Sequence, residues 1–266
     1  MNAPDRIFIA DVQASADSRN VAIDDVGIKG LRYPLCVATR DGLQHTVAEI
    51  DLMVGLEPEV KGTHMSRFVE LVEAWKVPLD ASSLAGLARA MTARLGAERG
   101  TIDMRFPYFI RKKAPVSGVE SLLDYQARAH VSTGPDGTQV RLSLMAPVTS
   151  LCPCSKEISE YGAHNQRSHV TIEATVSPDA AGFGFEDLAG IAESAASCEI
   201  YGLLKRPDEK YVTERAYDNP KFVEDLVRDI ALTLSAHRAI LAYVVEAENF
   251  ESIHNHSAFA RIARRK

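Results

Sequence analysis

The segment over residues 150–169 carries a dense set of reactive side chains: two thiols, two imidazoles, two carboxylates, a lysine and an arginine. Cys152 and His164 stand twelve residues apart, so a thiolate and an imidazole could bind one metal ion once the thiol has lost its proton. The run Cys152-Pro153-Cys154 is too short for a relaxed disulfide and lacks the two-residue spacing of a zinc ribbon. The spacing alone equally allows two inert buried cysteines, with Cys154 serving only in packing.

Three other places could add to such a site. Cys198 and Glu199 end a predicted helix and could supply a thiolate or a carboxylate, or be a buried thiol beside a solvated glutamate. His254 and His256 would point to opposite faces of a strand, so that one could reach a metal while the other does not, unless the backbone is irregular. Glu214, at a predicted strand end, could accept two N–H groups from a guanine-like ring edge or simply lie on the surface.

A predicted helix start near residue 65 is a candidate anion site. Backbone N–H groups together with Lys61, His64 and Arg67 would attract a phosphate there. The simpler interpretation is a helix capped by Thr63 or Ser66. Neither a glycine-rich phosphate loop nor a Gly-x-Ser-x-Gly elbow occurs in the sequence.

Composition limits the classes of protein. The 266 residues are 46% hydrophobic and 25% charged, and no apolar run is long enough to cross a membrane. A net charge of −6 disfavours a nucleic-acid backbone as the main partner. Four cysteines without a secretory signal do not indicate a disulfide framework, so we expect a cytoplasmic protein.

Hydrophobic periodicity predicts the strands and helices that position these residues. In the first half it predicts strands over 26–39, 43–56, 101–116, 119–132 and 140–150, and helices over 65–75 and 80–95. In the second half it predicts a strand over 169–177, a helix over 185–198, a helix beginning at Asn219-Pro220, a strand over 239–246 and a solvated end at 264–266.

This order predicts one α+β unit of two similar halves. We expect a flexible arm over residues 1–22 and a single unit over 23–266, with modules over roughly 23–150 and 151–266.

Four runs together resemble the signature of the type IB GTP cyclohydrolases: residues 61–68 (KGTHMSRF), 147–159 (PVTSLCPCSKEIS), 161–168 (YGAHNQRS) and 248–257 (ENFESIHNHS). The resemblance spans roughly residues 20 to 260 in the same order. It implies the tunnelling fold, with two tandem ββαα-type modules, antiparallel sheets and helices on one face. It also implies a homotetramer whose sites form at subunit interfaces.

The reaction that the resemblance implies is hydrolysis of GTP to 7,8-dihydroneopterin triphosphate and formate, the first step of tetrahydrofolate biosynthesis. The implied cofactor is a divalent metal, zinc or manganese, with iron a further candidate. Its implied ligands are Cys152, His164, Glu199 and His254, with His256 kept in view for the last position. Glu214 resembles the glutamate that anchors the purine edge.

For the chemistry we expect a metal-bound water to attack C8 of guanine, because a metal lowers the pKa of its water towards 7. Cys152 and His164 are the first catalytic candidates, and His256 is the candidate for proton transfer if it is not a ligand. The triphosphate needs cations, for which the candidates are Lys61, His64, Arg67, Lys156, Arg167, Lys205 and Arg206.

Two other activities are compatible with these residues. One is a related tunnelling-fold enzyme acting on another purine-like substrate, such as a nitrile reductase that uses a cysteine as a covalent nucleophile with NADPH and no metal. The other is a non-catalytic metal-binding module.

Overall fold

The structure is a computed structural model that describes residues 13, 15–178 and 182–266. Within these residues nine strands form one sheet. The strands are β1 (Ile23–Thr39), β2 (Gly42–Leu56), β3 (Gly100–Lys113), β4 (Glu120–Gly134), β5 (Gly137–Leu151), β6 (Asn165–Val176), β7 (Cys198–Glu199), β8 (Ile240–Asn249) and β9 (Ala258–Arg265).

Six helices lie between these strands in the described part of the chain. They are α1 (Met65–Ala74), α2 (Ala81–Leu95), α3 (Pro153–Ile158), α4 (Phe185–Ala195), α5 (Arg206–Asp218) and α6 (Val223–Ala236). None of them has the length and apolar character that crossing a bilayer requires.

All strand pairs are antiparallel, in the order β1-β2-β3-β4-β5-β6-β8-β9, with the short β7 paired beside β5. The predicted α+β class and antiparallel sheet are therefore confirmed. A helix pair follows β2 in the first half, and α4 to α6 precede β8 in the second. Each half contributes four of the eight strands in this order, so the two halves meet at the hairpin between β4 and β5. The sheet continues unbroken across that hairpin.

One face of the sheet and the helices enclose a single core. On β2 the alternate residues Ala48, Ile50 and Leu52 are buried, as the two-residue period of a strand requires. Phe68 of α1 and Leu226 of α6 belong to the same apolar cluster. Burial of this one face fixes the register of strands such as β2, because a shift by one residue would turn their apolar side chains towards water.

The opposite face of the sheet carries charged side chains held in ion pairs. The Asp103 carboxylate lies 2.5 Å from Arg128, 2.9 Å from Arg105 and 3.2 Å from His130. Burial raises the pKa of this carboxyl, but hydrogen bonds from His130 and Arg128 and the nearby arginine charges outweigh burial and lower the pKa to about 2.

The starts of the first two helices differ in how they are capped. The Asp80 side chain accepts the Ser83 N–H at 2.7 Å at the start of α2. Neither Thr63 nor Ser66 caps α1. The N-cap residue is His64, and its side chain accepts no N–H from the first turn of the helix.

The prediction of a helix start at Asn219-Pro220 is wrong. Asn219 is the C-cap of α5, and α6 begins three residues after Pro220. The Asn219 amide nitrogen donates to the Ala196 carbonyl at 2.8 Å. The side chain thus satisfies a carbonyl at the end of α4 and does not accept an N–H at a helix start.

Two further elements differ from the prediction. Residues 264 and 265 are exposed, as predicted for a solvated end, but they belong to β9 and pair with Tyr243 and Ala242. Residues 153–158, for which the periodicity predicts no helix or strand, form α3. Both segments bury little apolar area, so hydrophobic periodicity could not indicate them.

The predicted N-terminal arm lies mostly outside the described residues. Its described end pairs with the chain before α1: Ala16 bridges Val60, and the Asp17 N–H donates to the Glu59 carbonyl at 2.8 Å.

Candidate active site

Backbone contacts at the end of β5 hold Cys152 and His164 together. The Cys152 N–H donates to the His164 carbonyl at 3.2 Å, just beyond the last paired residues of β5 and β6. Cys152 is the N-cap of α3, and its Sγ accepts the Ser155 N–H at 3.5 Å. Ser155 Oγ accepts the His164 N–H at 3.2 Å. The predicted thiolate and imidazole therefore occupy one half-buried corner.

The His164 ring lies in a polar network. Its Nδ1 is 3.0 Å from Gln166 Oε1 and 3.4 Å from Ser252 Oγ. Glu251 Oε2 lies 3.9 Å from the same nitrogen, and the two side chains are only 13% and 15% exposed. Limited exposure strengthens these polar contacts compared with contacts in water.

Glu199 is held on β7 beside the same strand end. β7 pairs with β5 so that Glu199 faces Val148. Its carboxylate accepts the Tyr201 hydroxyl at 2.6 Å and lies 3.2 Å from the Arg215 guanidinium. Burial raises the pKa of Glu199, but the Tyr201 hydrogen bond, its own backbone N–H and the positive charge of Arg215 outweigh burial and lower the pKa.

Glu214 lies in α5, so its predicted place at a strand end is wrong. Its carboxylate is 58% exposed and pairs with Lys210 one turn earlier at 2.5 Å. The periodicity of α5 is weak because only Asp208 and Ala216 are buried. A proline in the first turn and the Asp208 carboxylate, which accepts the Lys205 N–H, are the local signals that favour this helix.

A buried carboxylate anchors the start of α5. Asp208 accepts the Val116 and Ser117 N–H groups at 2.8 Å each, the Ser117 hydroxyl at 2.5 Å and the Lys205 N–H at 2.8 Å. Burial raises its pKa, but these hydrogen bonds outweigh burial and hold the pKa well below its usual range. The hairpin between β3 and β4 therefore sets the position of the helix that carries Glu214.

The predicted phosphate-binding cations do not form one patch in the chain. His64 and Arg67 line a cavity at the end of β2 that shares no lining residue with the Cys152–His164 corner. Lys156 donates to the Tyr217 carbonyl at 2.5 Å. Arg167 is exposed on β6. Lys61, Lys205 and Arg206 are also exposed.

His254 and His256 lie in the irregular segment between β8 and β9. Both are exposed, and their rings stack with centroids 5.1 Å apart. Because this backbone is not a strand, the two rings do not point to opposite faces, and the irregular alternative holds. The segment begins at Phe250, and its next two residues, Glu251 and Ser252, reach the His164 ring.

The four cysteines differ in environment. Cys154 is exposed, which contradicts its predicted packing role. Cys198 is buried, and burial raises the pKa of its thiol to about 11, so it stays protonated near neutrality. Cys36 is partly buried on β1.

The donor chemistry of the corner fits part of a metal site. Thiolate and imidazole suit zinc and similar metals. Among the residues that the structure describes, however, no three or more His, Cys, Asp and Glu side chains are grouped to hold an ion. Cys152 and His164 thus fit as a pair, while Glu199 is engaged by Arg215 and His254 lies in an exposed segment. The four-ligand set stays a prediction.

Sequence reasoning missed Gln166, Glu251, Tyr201 and Arg215. Gln166 and Glu251 stand within the runs that carry the family resemblance, so that resemblance marked their segments without giving them a role. Tyr201 and Arg215 had no such signal. Tyr201 stands two residues after Glu199, outside any helix or strand, and the contact of Arg215 with Glu199 depends on how α5 packs against β7.

Solved structures with the same fold place the chain in a structural class. A uricase from Arthrobacter globiformis covers 91% of this chain and 93% of its own length with a TM-score of 0.52 at 9% identity. A uricase from Bacillus fastidious gives the same coverage with a TM-score of 0.56 at 11% identity. At such identities the likeness shows the fold alone, and it is the predicted tunnelling fold.

Sequence comparison then identifies the family within that class. The model of the family described as type I GTP cyclohydrolase FolE2 matches residues 9–260. A GTP cyclohydrolase FolE2 of Dechloromonas aromatica (strain RCB) is 61% identical over 265 residues, 98% of each chain. One of Herminiimonas arsenicoxydans is 55% identical, covering 97% of this chain and 98% of its own. This chain belongs to the type I GTP cyclohydrolase FolE2 family.

Proposed function

We propose that this protein hydrolyses GTP to 7,8-dihydroneopterin triphosphate and formate, as the first step of tetrahydrofolate biosynthesis in the cytoplasm. The observation that carries the proposal is the placement of Cys152 against His164 in a chain that matches the FolE2 family over nearly its whole length. Relatives named as GTP cyclohydrolases that cover the full chain support the same substrate.

The proposal includes a divalent metal, zinc or manganese with iron a third candidate. Cys152 and His164 would hold it, with Glu199 and His254 as the further ligands. When bound, such a metal supplies a water with a pKa near 7. The residues of the chain bind and orient the nucleotide, and His256 moves protons to and from it.

Substrate binding is assigned to Glu214 and to four cationic side chains. The Glu214 carboxylate on α5 can accept two N–H groups from the guanine edge, because it is exposed and charged. The cationic residues His64, Arg67, Lys156 and Arg167 would bind the triphosphate.

We propose that a homotetramer completes the site at its subunit interfaces. Exposed apolar side chains flank the Cys152–His164 corner: Ile158 is 83% exposed, Tyr161 99% and Ile253 63%. Such side chains favour burial against another protein surface. A neighbouring subunit that covers them would also bring further ligands and cations to the corner.

Chelation tests the proposed activity directly. Treating the purified protein with EDTA is expected to stop formate release from GTP, and added Mn²⁺ or Zn²⁺ to restore it. Full turnover after complete metal removal would contradict the proposal. Metal-independent nitrile reduction with NADPH would support the reductase alternative, and a metal that leaves only on unfolding, without GTP turnover, would support a non-catalytic module.

Replacing Glu214 by alanine is expected to weaken GTP binding by about 10- to 100-fold, because hydrogen bonds to a charged group contribute roughly 1.5–3 kcal/mol. Equilibrium binding and KM measure the effect. Lys210→Ala is the matched control, since it breaks the same ion pair from the other side and keeps the carboxylate. A fall in turnover with unchanged GTP affinity would show that Glu214 is not the anchor.

A further inference from the structure

The Gln166 side chain joins the two parts of the network around His164. It is buried, with 8% of its surface exposed. Its amide oxygen lies 3.0 Å from His164 Nδ1, and its amide nitrogen lies 3.4 Å from both Ser150 Oγ and Glu251 Oε1. A side-chain amide has one end that accepts and one that donates, so its orientation decides what His164 can do.

Glu251 settles that orientation. An ionised carboxylate accepts hydrogen bonds and cannot donate one, so the amide nitrogen of Gln166 must face it. The Ser150 hydroxyl agrees with this arrangement, because its oxygen accepts from Gln166 and, at 3.2 Å, from the Asn249 amide. A flipped amide would bring its oxygen against the carboxylate of Glu251, where two acceptors repel each other.

The oxygen of Gln166 therefore faces Nδ1 of His164 and requires a hydrogen on that nitrogen. A neutral imidazole carries one ring hydrogen, so its other nitrogen keeps a free lone pair. We propose that Gln166, oriented by Glu251, is a positioning residue that holds neutral His164 in the Nδ1–H tautomer and leaves Nε2 as the acceptor.

The use of Nε2 for a metal rests on the proposed function, whereas the tautomer does not. Groups that bond the second nitrogen of a ligating histidine fix its tautomer and orientation, and their loss typically costs 10- to 100-fold in metal affinity. Gln166 thus explains how His164 could bind a metal without rearranging.

Nitrogen NMR of the metal-free protein, labelled at histidine, tests the tautomer. We expect His164 to show a protonated Nδ1 and an unprotonated Nε2, and Gln166→Leu to lose that preference. Glu251→Gln should weaken it, because an amide can donate as well as accept, and this isosteric change keeps the test available if Gln166→Leu does not fold. Gln139→Leu, at an exposed glutamine of β5, should change nothing. An Nε2–H tautomer, or an unchanged spectrum in both Gln166→Leu and Glu251→Gln, would overturn the inference.

Titration of the metal-free protein with Co²⁺ tests the consequence. Gln166→Leu should weaken the affinity by about 10- to 100-fold compared with the Gln139→Leu control. Equal affinities would overturn the link to metal binding. A native protein with the Nδ1–H tautomer that binds no Co²⁺ would refute the proposed metal site and leave the role of Gln166 supported.

Discussion

Replacing Cys152 by alanine is expected to lower kcat/KM for formate release from GTP by more than about 100-fold. Residues that merely orient a metal ligand account for about 10- to 100-fold, so loss of a residue proposed as the ligand itself should cost more. The Cys152 N–H that holds the His164 carbonyl belongs to the backbone and remains in the variant. The change therefore removes the sulfur and its contact with the Ser155 N–H, and it keeps the backbone link to His164.

The adjacent thiol provides the control for this variant. Cys154→Ala changes the same Cys-Pro-Cys run at an exposed side chain, so its turnover and bound metal should match the unmodified protein. Metal analysis should show a loss in Cys152→Ala alone. Full formate release by Cys152→Ala would refute the assigned role.

The second large effect concerns stability. Glu193 of α4 lies 2.5 Å from Lys112 of β3, and their side chains are only 14% and 11% exposed. The same carboxylate accepts the hydroxyl of buried Tyr125. Replacing Glu193 by alanine leaves a buried ammonium and a buried hydroxyl without this partner. We expect the free energy of unfolding to fall by about 3–5 kcal/mol.

Chemical denaturation at pH 7 measures this loss. Glu73→Ala is the matched control, because Glu73 pairs with Lys76 at 3.7 Å with both side chains mostly exposed, and such a pair contributes about 1 kcal/mol or less. Adding Lys112→Met to Glu193→Ala should recover part of the loss, since the unpaired charge is then gone. A single variant as stable as the Glu73→Ala control would contradict the assignment.

The ion pair of Lys112 and Glu193 also shows which contacts a sequence cannot predict. The two residues stand on β3 and α4, in different halves of the chain, and neither segment marks them as partners. Segments with strong apolar periodicity, such as β2 and α2, were predicted within a few residues. Segments with little buried area, such as α3, α5 and β9, were missed or misplaced.

The sequence by itself determined the fold class and the family resemblance, and it predicted that Cys152 and His164 could lie at one site. Periodicity reports which face is buried, and the runs around the two residues are long and chemically unusual. Only the tertiary structure decided that Gln166 and Glu251 enclose His164, that Arg215 pairs with Glu199, and that Glu214 stands on a helix. Those contacts join side chains far apart along the chain or depend on buried polar partners, and hydrophobic patterning carries no information about either.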